Sequence, residues 1–239
     1  MKAKHLHHWQ ATPAQAMLIQ QGLAGSISRK DEGGAIRLVA GVDISVSKSD
    51  NIGRGAVVVL SYPELKLVES RIAEMKLEFP YVPGLLSFRE APVILAACEK
   101  LSNNNPDLIL VDGQGIAHPR RLGLASHLGL LWDKPTIGCA KSRLCGEHEP
   151  VGEEQGKFAE LIDGGEIIGA ALRTKANTKP LYISIGHRTS LEAAIRLVLD
   201  CCRGYRMPEP TRLAHLAAGG KVQITKMKEY GETDGRTEG

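Results

Sequence analysis

Residues 36–77 read IRLVAGVDISVSKSDNIGRGAVVVLSYPELKLVESRIAEMKL, and this run decides the fold. Three segments rich in β-branched residues, Ile36–Val46, Ile52–Ser61 and Lys66–Leu77, are separated by short turn-prone links. Asp50-Asn51 suits the first link, because both side chains hydrogen-bond local backbone, and Tyr62-Pro63-Glu64 suits the second. Links this short join neighbouring strands that run in opposite directions, so the spacing predicts an antiparallel three-strand meander.

The pattern changes on either side of the meander. Upstream, Thr12-Pro13-Ala14-Gln15 combines a threonine N-cap, a first-turn proline and a glutamine three residues after the cap, which predicts a helix running to about Ile27. Downstream, two prolines and a glycine keep Phe79-Pro80-Tyr81-Val82-Pro83-Gly84 out of regular structure. Ser87–Leu101 reads as a helix, Asp107–Asp112 as a buried-type strand, Arg121–Leu131 as a helix and Thr136–Ala140 as a strand. Ile167–Arg173 and Leu181–Ile185 form a further pair of strands. They precede a helix over Leu191–Arg203, closed by Gly204, and a short helical segment around Arg212–Ala218. A meander followed by alternating helices and strands predicts one α/β domain over residues 1–219, a mixed sheet with helices packed on it, and a polar, mobile tail over 220–239.

The chain has 239 residues, of which 43% are hydrophobic and 24% charged, a balance that argues against disorder. No apolar run approaches the ~18 residues of a membrane span, and the opening MKAKHLHHWQ lacks the apolar core of a signal peptide. A soluble cytoplasmic chain without a membrane partner is the expectation. The five cysteines, Cys98, Cys139, Cys145, Cys201 and Cys202, show neither CxxC nor zinc spacing, so reduced, mostly buried thiols are expected. Thirty Lys plus Arg against 27 Asp plus Glu leave a net charge of +3, too small to identify a polyanionic partner. Any nucleic-acid contact must come from where the cations sit.

Acidic residues in apolar strands are the first candidates for chemistry. Asp43 sits within Leu38–Val46, where an ionised carboxylate is costly unless paired or metal-bound. Asp112 closes Leu108-Ile109-Leu110-Val111 and precedes Gly113-Gln114-Gly115, whose glycines let a ligand approach the backbone. If these strands are neighbours, the two carboxylates lie about 5 Å apart, and a divalent cation relieves their repulsion. The competing reading makes Asp112 a turn cap. Glu90 is divided evenly between metal binding and the capping box Ser87-Phe88-Arg89-Glu90. Lys141 follows the strand Thr136–Ala140 and suits either a phosphate or solvent. Tyr81, held between Pro80 and Pro83, either packs under its loop or acts as a wedge that stacks on bases. His215 reads by default as a solvated or core histidine, and His5, His7 and His8 as terminal residues without function. Gly113-Gln114-Gly115 lacks the third glycine of a dinucleotide fingerprint, and no GxSxG, P-loop or HExxH motif occurs.

Taken together, GVDIS (41–45), FPYVPGLLSFRE (79–90), LVDGQGIAHPRRLGLASHLG (110–129), GCAKSRL (138–144), ISIGHR (183–188) and TRLAH (211–215) resemble the endonuclease V family of deoxyinosine-directed nucleases. The resemblance covers nearly all of residues 7–219 and implies a ribonuclease H-like fold with the Asp43 and Asp112 strands side by side. It implies Asp43, Glu90 and Asp112 as ligands of Mg²⁺ or Mn²⁺, His215 assisting the second metal or the attacking water, and Lys141 on the phosphate. Tyr81, beside Pro83, corresponds to the strand-separating wedge. Gly84, Leu85, Gly113, Gly115 and Leu144 match the pocket for a flipped hypoxanthine, and His118 matches a motif histidine near it. The implied partner is DNA containing deoxyinosine, cut at the second phosphodiester bond 3′ to the lesion by a monomer. Single-stranded DNA, inosine-containing RNA, branched DNA, or binding without catalysis are the alternatives. Cys145–Gly156 is acidic and matches the family poorly, and the segment from Gly219 onward has no clear counterpart.

Overall fold

A computed structural model describes residues 1–32, 34–47 and 49–220. The expected mobile tail beyond Gly220 lies outside the described residues. In chain order the elements are α1 (Pro13–Ala24), β1 (Leu38–Val46), β2 (Ile52–Ser61), β3 (Leu67–Lys76), α2 (Leu86–Glu99) and β4 (Leu108–Val111). They continue as α3 (Leu124–Trp132), β5 (Thr136–Ala140), β6 (Phe158–Asp163), β7 (Glu166–Leu172), β8 (Leu181–His187), α4 (Leu191–Asp200) and α5 (Glu209–Ala218).

All eight strands form one sheet in the order β3-β2-β1-β4-β5-β8-β7-β6. The meander forms as its short links require, with β1 and β2 antiparallel from Leu38 opposite Ser61 to Val46 opposite Gly53. β4 then joins β1 in parallel and β5 joins β4 in parallel, the usual outcome when helices form the crossovers. β8, β7 and β6 complete the sheet as antiparallel neighbours. This is the ribonuclease H-like mixed sheet flanked by helices.

Side-chain alternation divides the core into two layers. Val39 of β1 and Leu108 and Leu110 of β4 pack beneath α4 and α5. Ala40 and Val42 of β1, with Ile109 and Val111 of β4, pack beneath α2 and α3. Because both faces are covered, the central strands carry near-continuous apolar runs, and a carboxylate at their ends has little water to fall back on.

Several boundaries differ from expectation. The Thr12–Gln15 capping box forms, but α1 stops at Ala24. The second proposed box does not form. Leu85 is the N-cap of α2, and Ser87 lies inside the first turn with its hydroxyl 3.1 Å from His127 Nδ1. α3 begins at Leu124 rather than Arg121, because Arg121 has a positive φ of 56° and its guanidinium is tied to Asp163 and Glu166. α4 ends at Asp200, before Gly204 is reached, and α5 starts three residues earlier than the sequence suggested, at Glu209. β6 escaped notice altogether, being an edge strand whose one well-buried side chain is Leu161.

His7 is not a loose terminal residue. Its Nδ1 donates to the His8 carbonyl at 2.9 Å, so its Nε2 accepts from His127 Nε2 at 2.7 Å, and His127 Nδ1 accepts from Ser87. Burial lowers the pKa of both rings, His127 to about 3, consistent with this neutral relay joining the N-terminal segment to α2 and α3. The cysteines are all free, four of them buried and Cys145 partly so.

Candidate active site

The carboxyl ends of β1 and β4 bring the two strand-end aspartates together. Val42 stands opposite Val111, and the Asp112 N–H donates to the Val42 carbonyl at 3.2 Å, so Asp43 and Asp112 occupy adjacent rungs. Alternation places Asp43 on the Val39 face and Asp112 on the Leu108–Leu110 face, both toward α5. Gly41 lets α5 come down onto that face. A β-carbon at position 41 would overlap the backbone of Pro210 and Thr211 at the start of the helix. His215, just over one turn further along, consequently reaches Asp43, with Nδ1 2.7 Å from Oδ2. One ligand atom each from Asp43, Asp112 and His215 lie within 4.8 Å of one another.

Glu90 approaches from the opposite layer, in the second turn of α2, and is buried. Burial raises its pKa to about 8, helped by the negative charges of Asp43 and Asp112. Burial likewise raises Asp43 to about 6, helped by Asp112 and opposed by the hydrogen bond from His215. The tightest trio therefore contains His215 in place of Glu90, with Glu90 near enough to feel both aspartates. Neither turn capping for Asp112 nor helix capping for Glu90 describes what is seen: the three acids share one electrostatic site.

Lys141 leaves the end of β5, and its ammonium pairs with Asp112. Arg206, which the sequence reading passed over, fixes the backbone there by donating to the carbonyls of Lys141 at 2.7 Å, Pro180 at 2.8 Å and Lys179 at 2.8 Å. Nothing local in the sequence signals this, because the acceptors are backbone groups brought in by the fold.

Beside the acids lies a cavity of about 390 Å³ whose lining includes Tyr81, Pro83, Gly84, Gly113, His118 and Leu144. Asp112 and Lys141 also line it, so cavity and acid cluster are continuous. Tyr81 is 71% exposed at the tip of its loop, which removes the reading that it packs underneath. Two of the expected pocket residues are not in the wall. Leu85 is fully buried against Phe79 and Phe88, and Gly115 backs onto β8, where a β-carbon would overlap the Ile185 carbonyl. A larger hollow of about 650 Å³, beside Trp9 and Pro92, contains none of the three acids.

His118 has a defined tautomer. The Arg120 N–H donates to its Nδ1 at 3.1 Å, so Nε2 carries the proton and donates to the Gly84 carbonyl at 2.9 Å. Burial, with Arg120 and Arg121 nearby, lowers its pKa to about 4, which keeps the ring neutral. Its role here is to tie the tyrosine loop to the turn after β4.

Comparison with known proteins adds to this geometry. A sequence model of the family described as Endonuclease V matches residues 21–216. An Endonuclease V of Dehalococcoides mccartyi is 54% identical over 218 residues, covering 91% of this chain and 97% of that protein. The crystal structure of an Endonuclease V from Streptomyces avermitilis superposes with a TM-score of 0.84 at 40% identity, covering 91% of this chain and 96% of that one. A Ciona intestinalis Endonuclease V, solved in complex with a 24mer DNA containing an inosine followed by a ribo-adenosine, superposes with a TM-score of 0.76 at 30% identity, covering 90% and 98%.

Proposed function

Because this chain belongs to the endonuclease V family, we propose that it is a metal-dependent nuclease that recognises deoxyinosine in DNA. The proposed cut is hydrolysis of the second phosphodiester bond 3′ to the lesion, leaving 3′-hydroxyl and 5′-phosphate ends. The observation that carries this reading is the continuity of the cavity with the acid cluster through Asp112 and Lys141. A site that receives a base thus adjoins a site suited to phosphate chemistry.

The donor set fits a hard divalent ion: Asp43, Asp112 and His215 converge, and Glu90 lies near enough for both aspartates to disfavour its ionisation. Held by Asp43, Glu90 and Asp112, Mg²⁺ or Mn²⁺ would supply Lewis acidity at the phosphate and lower the pKa of the attacking water. His215 holds Asp43 through Nδ1 and, being exposed on its other side, can orient that water. Lys141 can move from Asp112 to a non-bridging phosphate oxygen, which it would hold as a point charge. Inosine pairs weakly, so extruding it costs less than extruding a normal base, and the cavity can receive what is extruded. Tyr81 is exposed on a loop stiffened by Pro80 and Pro83, and can stack where the base has left.

The direct test uses a duplex with one deoxyinosine and an end label, incubated with Mg²⁺ or with chelator. The expected product is a single nick at the second bond 3′ to inosine, absent with chelator and absent from the undamaged duplex. Equal cutting of both duplexes, or cutting in chelator, would overturn the reading. Inosine-containing RNA run in parallel measures the preference between the two polymers. Tyr81→Ala is expected to weaken binding of the inosine duplex about tenfold, the scale of one lost base–aromatic stack, while the Mg²⁺ titration keeps its midpoint. Anisotropy with labelled duplex reads the first quantity, and an unchanged affinity would remove Tyr81 from the wedge role.

A further inference from the structure

α1 buries just two of its twelve residues, Ala16 and Gln20. A fully buried glutamine on a solvent-exposed helix is costly unless its amide is satisfied, and this one is. Its Nε2 donates to the carbonyls of Gly84 and Leu122, each at 3.0 Å. Its Oε1 accepts from Arg120 Nε at 2.6 Å. The Gly84 carbonyl also accepts from Arg120 at 2.8 Å and from His118 at 2.9 Å. Three donors thus converge on one oxygen in the tyrosine loop, where Gly84 adopts a positive φ of 77°. Leu122 immediately precedes Gly123, which with Gly84 and Gln20 itself lines the cavity beside the acids. One side-chain amide from a helix outside the sheet therefore ties two walls of the cavity to each other.

We infer that Gln20 is a positioning residue that sets the width of the base pocket and thereby its selectivity for hypoxanthine. This rests on the function proposed above and deepens it. Guanine differs from hypoxanthine by an added 2-amino group and adenine by an amino group in place of the 6-oxo group. A wall fixed by Gln20 excludes the first sterically and holds backbone groups to tell the second apart. A wall free to retreat admits both. Gln20 contacts none of the reacting groups, so its effect falls on recognition rather than on the hydrolytic step.

The experiment compares the full chain with Gln20→Leu and Gln20→Glu in nicking assays on inosine and matched undamaged duplexes. Gln20→Leu removes all three hydrogen bonds. Gln20→Glu keeps an acceptor for Arg120 but removes both N–H donors, and it remains readable if the leucine variant does not fold. Each variant is expected to raise KM for the inosine duplex about tenfold and to lower selectivity against the undamaged duplex about tenfold, because the Leu122 carbonyl loses its Gln20 donor and the Gly84 carbonyl keeps two of its three. The same variants should change kcat less than about threefold, since no group that acts on the phosphate is disturbed. Folded variants with wild-type KM and selectivity, or a loss confined to kcat, would overturn the inference while leaving the nuclease reading intact. A wild-type chain without preference for inosine would overturn both.

Discussion

Asp43→Asn and Asp112→Asn are each expected to reduce nicking of the inosine duplex by about 10³-fold or more, because several kcal/mol of transition-state stabilisation goes with the ion they help to hold. Affinity for the inosine duplex should stay within about threefold, since Tyr81 is untouched, asparagine keeps the shape of the Asp112 side chain in the cavity wall, and one fewer negative charge faces the phosphates. Single-turnover nicking and anisotropy measure the two quantities separately, and nicking at the wild-type rate in both variants would defeat the assignment of the acids. The asparagine at 43 should at the same time stabilise the ion-free chain at pH 8. Burial and Asp112 raise Asp43 to about 6 against the opposing His215 hydrogen bond, so its ionisation costs about 1–3 kcal/mol of native stability.

The same electrostatics predict how stability follows pH. Asp43 and Glu90 both have folded-state pKa values raised above the ordinary carboxylate range, to about 6 and about 8. Well below about pH 4 both groups are neutral folded or unfolded, and their contribution is fully present. As pH rises the unfolded chain ionises first, so stability falls until the folded carboxyls ionise too, near 6 and near 8. In chelator the thermal midpoint should therefore carry a destabilising slope across this window, about 1.4 kcal/mol per pH unit for each group still protonated in the native state. Glu90→Gln should flatten the upper part of the slope. Mg²⁺ should raise the midpoint at pH 8 far more than at pH 6, because binding requires the ionised acids and releases their protons. A midpoint in Mg²⁺ that rises equally at both pH values would refute the coupling.

What the sequence disclosed and what it hid divide along physical lines. The meander was legible because period-two runs and short polar links are local signals, and Asp43 and Asp112 were legible because a carboxylate ending an apolar run is conspicuous in one dimension. β6 was readable in principle: Phe158–Asp163 and Glu166–Leu172 are joined by Gly164-Gly165, both with positive φ, a turn suited to a tight hairpin. The serine at 87 misled because a capping box and a buried glutamate one turn into a helix share a spelling, and Leu85, with no side-chain cap at all, took the N-cap position. Leu85 and Gly115 belong to the same motifs as their neighbours, yet their side-chain positions face the core and β8. Gln20, Arg120 and Arg206 could not be found from sequence, since apart from the bond between Gln20 and Arg120 their side chains donate to main-chain carbonyls distant along the chain. Such acceptors have no residue type to betray them.

Gly41 offers no ligand atom and no charge, yet the distance between two of the groups that do is decided there. Only a hydrogen fits between β1 and the first turn of α5 at that point. Even a methyl group would lever the helix outward, and the imidazole carried on it would swing away from its aspartate. The centre thus owes its dimensions to a missing side chain, and any survey of its chemistry confined to donors and acids would overlook the part that does the measuring.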